Sequence, residues 1–78
     1  MTSNQKYEVV VGIGNKIYKI PFDNETKAIE LYDEIEKMLD DGTDSRLTLE
    51  NGVRGDGVHF IKQGVLVSHI RDIYVKKM

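Results

Sequence analysis

The 78-residue chain reads as a small α+β domain, an antiparallel sheet in the order β-β-α-β-β-β-β with one amphipathic helix packed on one face. Three observations lead to that class. Apolar residues recur at helical spacing only between Asp23 and Gly42. The stretches before and after it alternate apolar and polar residues, as half-buried strands do. Short connections containing Gly and Asn punctuate those stretches.

Residues 1–5 are polar and expected to fray. Tyr7 to Ile13 and Lys16 to Phe22 form two strands around Gly14-Asn15, a two-residue hairpin turn. That register sets Tyr7 against Phe22, Val9 against Ile20 and Val11 against Tyr18, all on one face. Glu8, Val10, Ile17 and Lys19 take the other. A slip of one residue would mix the two sets, so burial of the apolar face selects this register. Pro21 has no N–H, which puts the end of the second strand at an edge or beyond the ladder.

In the helix, Ala28, Leu31, Tyr32, Ile35, Met38 and Leu39 share a stripe, with Glu30, Asp33, Glu34 and Lys37 opposite. The stripe should cover the apolar face of the first hairpin. Asp23 or Asn24 can cap the first turn, and Gly42 suits the left-handed residue that ends a helix. Asp40 and Asp41 place negative charge at the negative end of the dipole, at a cost of roughly a few tenths of a kcal/mol.

Beyond the Thr43-Asp44-Ser45 turn, Arg46 to Glu50 alternates as a strand. Asn51-Gly52 is the strongest hairpin signal in the chain, and the two further glycines of Val53 to Gly57 make a longer loop the alternative. Gly57 to Lys62 forms the next strand, Gln63-Gly64 a turn, and Val65 to Val67 another strand. A helical turn around His69-Ile70-Arg71 and a strand from Asp72 to Lys76 complete the chain. The alternative architecture is an SH3-like small barrel with the helix inserted, formed by curling the last four strands.

A chain this short is one domain, 1–78, and buries only about 60% of the surface its unfolded form exposes. It has no cysteine, so neither disulfides nor thiolate metal sites can support the core, and no metal or cofactor is expected. Oligomerisation is the remaining common support. Absence of cysteine, of a secretory signal in MTSNQKYEVV and of any apolar run near the roughly 20 residues of a membrane span point to a cytoplasmic protein off the membrane. Charge is unevenly distributed. Asp23 to Asp44 holds nine acids and two bases, and the rest of the chain four acids and nine bases. Such asymmetry concerns partners, not fold.

No motif in the chain defines a chemistry. Gly12-Ile13-Gly14 begins like a dinucleotide fingerprint, but Ile17 stands where a third glycine belongs and a strand follows instead of a helix. Asp40-Asp41-Gly42-Thr43-Asp44 has its glycine at the wrong place for a calcium loop. Arg54-Gly55-Asp56 spells an adhesion tripeptide, yet three residues recur by chance and the glycines suit a turn. His59 and His69 are the two histidines of the chain, but no Ser or Cys completes a nucleophilic set, and no catalytic residues are assigned.

The expected function is therefore that of a small non-enzymatic interaction or regulatory protein, bacterial or phage-like in style, working by self-association or by binding a protein partner. Glu30, Asp33 and Glu34 on the helix, with Val10, Ile17 and Lys19 on the outer face of the sheet, are its candidate contact residues. The alternative is a module for nucleic acid or another anionic ligand, using Arg54, Lys62, Arg71 and His59, since cations among sheet aromatics such as Tyr74 and Phe60 suit stacking and phosphate neutralisation.

Overall fold

A computed structural model of the chain describes residues 6–42 and 46–77. The expected frayed terminus, the Thr43-Asp44-Ser45 turn and with it part of the candidate calcium loop lie outside the described residues. The elements run β1 (Tyr7–Ile13), β2 (Lys16–Phe22), α1 (Glu25–Asp41), β3 (Arg46–Arg54), β4 (His59–Leu66), a 3-10 turn (Val67–His69) and β5 (Ile70–Lys77). The sheet is antiparallel, in the order β4-β3-β2-β1-β5, and open. The α+β reading holds; the barrel does not form.

The first hairpin adopts the expected register, with Tyr7, Val9 and Val11 opposite Phe22, Ile20 and Tyr18. Val9 and Val11 are 0% exposed, because α1 covers one side of β1 and β5 covers its second edge. Ala28 and Ile35 are the fully buried helix residues, flanked by half-buried Leu31, Met38 and Leu39. Full burial of a side chain such as Ile35 contributes about 1.5–3 kcal/mol. Tyr32 is only half-buried and lies outside the central cluster. Asn24 is the cap, accepting from the Lys27 N–H at 2.8 Å, and Gly42 ends the helix at φ 64°.

Three sequence expectations change. Asn51-Gly52 does not turn the chain; it lies within β3, and the reversal comes at Gly55-Asp56-Gly57. Gln63-Gly64 does not turn it either: β4 passes straight through, since Thr48 and Leu49 supply its partners. Five strands are therefore described where six were expected. His59 pairs with Val53, and His69 sits in the 3-10 turn.

The strand pair β3–β4 carries a local inversion. Leu47 and Leu49 are buried, then the inward set moves to Gly52. On β4, Phe60 packs against the core and, past the same point, so does Val65. Pairing holds on both sides, from Glu50↔Lys62 to Gly52↔Phe60, while Asn51 between them takes φ 56°. A residue in the left-handed region lets the strand exchange its faces without losing its partner strand.

Candidate functional site

Pro21 shapes the main concavity. The N–H of Gly55 donates to the carbonyl of Ile17 at 2.7 Å, so the odd residues of β2 face β3. Alternation along an antiparallel strand makes Pro21 the second such residue after Ile17, and it has no N–H to donate. The β2–β3 pairing accordingly ends at Lys19↔Val53. Pro21 pairs with Glu8 of β1 undisturbed, which is how a proline is tolerated in an interior strand. Beyond Lys19 the two strands part.

The parting leaves an open groove of about 750 Å³ between β2, β3 and α1. Ile20, Phe22, Leu31 and Leu49 give it an apolar lining, and Asp23, Glu30, Glu34 and Glu50 bring four carboxylates against the single cation of Lys27. On the other side of the sheet a smaller opening is lined by Glu8, Val53, His59 and Phe60. Pro21 and Asn51 line both openings, so the gap between β2 and β3 reaches both faces. Between Arg46 and Glu50, β3 pairs with β4, and no strand among the described residues lies along its edge toward β2.

The candidate contact residues fall on separate surfaces. Glu30 and Glu34 line the groove, whereas Asp33 is exposed on the helix and does not. Beside Asp33, the Tyr32 phenol is held above its ordinary pKa, first by its hydrogen bond to Glu36, then by partial burial and the charges of Glu36 and Asp33. Val10, Ile17 and Lys19 belong to the helix-free face. Ile17 is 46% exposed, but Val10 is only 4% exposed. Its cross-strand neighbours Lys19 and Tyr74 cover it, so it cannot serve as an apolar contact centre.

The four residues considered for an anion do not converge. Arg54 pairs with Asp56, Nη2 to Oδ2 at 3.0 Å, beside a hollow of about 370 Å³ formed with Asn15, Lys16 and Ile17. Arg71 reaches the carbonyl of Gly14 at 3.2 Å from β5, and β1 and β2 separate it from Arg54. Lys62 lies 4.0 Å from Glu50, and His59 is at the smaller opening. Phe60 meets Tyr18 edge-on at 5.8 Å and is half-buried, leaving Tyr74, 51% exposed, on the helix-free face. The Arg54–Asp56 pair also closes the adhesion-like tripeptide on itself.

Among the described residues, no three His, Asp or Glu gather as metal ligands would, and no helix is long and apolar enough to cross a membrane. No protein-family model matches the chain, and no match was found among curated proteins or solved structures.

Proposed function

We propose that this is a small non-enzymatic interaction protein whose working surface is the acidic groove between α1 and β3. One observation carries the reading: an apolar lining rimmed by four carboxylates, with one lysine among them. Apolar surface provides the affinity of a protein contact and charge selects the partner. Scattered cations and exposed histidines, with no polar groups among the described residues converging in an enclosed pocket, support a binding role over a catalytic one. Lack of cysteine agrees with work in a reducing cytoplasm.

The test is a photo-reactive residue in place of Glu34, in the full chain and in its native cell, with a second at Lys19 as the comparison. Adducts of defined mass are expected from position 34, to a partner protein or to a second copy. No adduct there, with adducts at position 19, would sink the reading. Mass in solution separates the two occupants: self-association requires a monomer that disappears as concentration rises.

A second reading rests on Tyr74, exposed on the helix-free face with Lys76 two residues along β5 and Lys19 on the far side of Val10, and takes this face as a site for nucleic acid. It requires an affinity that falls steeply with salt. Failure to bind single-stranded or duplex probes at about 50 mM salt would remove it.

A further inference from the structure

We infer that the groove receives an extended, basic segment of a partner protein, which adds as a strand to the free edge of β3 between Arg46 and Glu50. The inference rests on the protein-binding reading and names the partner's form and chemistry. A strand edge carries unpaired N–H and C=O groups that template another strand. Here that edge is internal to the sheet order, and β2 cannot close over it because the residue due to donate is Pro21. Thr48 and Glu50 are exposed along it, alternating with buried Leu47 and Leu49. Five residues at about 3.4 Å each give an edge of about 17 Å, the length of an ordinary short strand.

The groove's walls specify the segment. An added strand presents alternate side chains to opposite faces. One set meets Ile20, Phe22, Leu31 and Leu49, so it is apolar. The other set points to the helix-free side, toward Glu8, Glu50 and His59, while the segment's ends lie beside Asp23, Glu30 and Glu34 at the rim of the groove. Lysine or arginine fits there, and an acidic segment is repelled. Alternation of basic and apolar residues is thus the recognition pattern.

The probe is the hexapeptide Lys-Val-Lys-Val-Lys-Val, titrated into the full chain and followed by amide chemical shifts. Two other forms accompany it: one N-methylated on alternate residues and one with Glu in place of Lys. Shifts are expected at Ile20, Phe22, Glu30, Glu34 and Thr48 to Asn51. N-methylation on the residues that face β3 should weaken binding at least tenfold, and the Glu form should not bind. The double reversal E30K/E34K should also weaken binding at least tenfold; both side chains are exposed, so the fold survives the change. Equal binding of the N-methylated form would reduce the contact to charge alone and overturn strand addition. Shifts confined to Ile17, Lys19 and Tyr74 would overturn the site. The same groove shifts on concentrating the chain without peptide would mean that a second copy is the occupant, which overturns the basic-peptide inference. Photo-adducts at position 34 combined with no peptide binding leave the protein-binding reading standing and remove only this one.

Discussion

The ring of Phe60 occupies the space that a side chain at Gly52 would need. A Cβ built at position 52 would lie 2.6 Å from Phe60 Cζ and 2.7 Å from the carbonyl oxygen of Lys19. The ring could turn aside, but Lys19 is backbone in β2 and belongs to the short ladder that joins β2 to β3. Gly52→Ala should therefore destabilise the domain by about 1–3 kcal/mol, the usual cost of overpacking. It should also weaken the Tyr18–Phe60 contact. Urea denaturation with unchanged slope and a lower midpoint is the expected result. An unchanged midpoint would mean that β2 and β3 separate freely beyond Tyr18.

Two isoleucines make a controlled comparison. Ile35 is 0% exposed at the centre of the helix–sheet contact, and Ile61 is 77% exposed on edge strand β4. Removing the first to Ala should cost about 2–5 kcal/mol. A domain of 78 residues holds only ~4–12 kcal/mol at roughly 0.05–0.15 kcal/mol per residue, so Ile35→Ala removes a large share of the total. Ile61→Lys should change stability by less than about 0.5 kcal/mol. Equal losses at the two positions would contradict the burial described, or place Ile61 in a contact between copies.

Much of this was legible from residue types. The helix from Asn24 to Gly42 announces itself through its stripe, cap and terminal glycine, and the β1–β2 register follows from segregation of six apolar side chains. What failed was punctuation in the second half. Asn51-Gly52 has the residues of a hairpin turn because Asn tolerates positive φ, and the chain uses that tolerance to invert a strand instead of reversing it. The groove was half visible. Pro21 was readable as the end of a ladder, and Glu30 and Glu34 as an acidic face. Their meeting depends on where β3 returns beside β2, a non-local placement that neither period nor composition encodes. Val10 was misjudged for a related reason: alternation puts it on the open face, but the strands on both sides of β1 bring Lys19 and Tyr74 over it.

Asn24 tests the helix start. Its side-chain Oδ1 accepts from the Lys27 N–H at 2.8 Å, one of the first-turn donors that the helix itself leaves unpaired. Asn24→Ala should cost about 1 kcal/mol, and Asn24→Asp should restore most of it and gain from the dipole. Thermal unfolding of the three forms checks the order. If all three forms melt together, the cap carries no stability and the helix is held by its apolar packing alone.

The turn between β3 and β4 gives the domain an acid-sensitive feature. Asp56 Oδ1 accepts from the Val58 N–H at 3.2 Å, and its Oδ2 accepts from Arg54 at 3.0 Å. The backbone donor first, then the hydrogen bond and charge of Arg54, hold this carboxyl below its ordinary value of 3.8, against the opposing effect of partial desolvation. A carboxyl whose folded pKa is depressed binds its proton more readily when unfolded. Its stabilisation is therefore complete above the unfolded pKa and is lost as pH falls through the lower folded value. Wild type should accordingly be more stable than Asp56→Asn at neutral pH, with the difference disappearing in acid below the ordinary carboxylate range. Both partners are solvent-exposed, so salt should shrink the neutral-pH difference by screening the Arg54 contribution, while the neutral backbone donor Val58 is less affected. Denaturation midpoints across a pH series, at low and high salt, measure this directly. A difference that persists unchanged into acid would show that Asp56 acts through turn geometry and not through its charge.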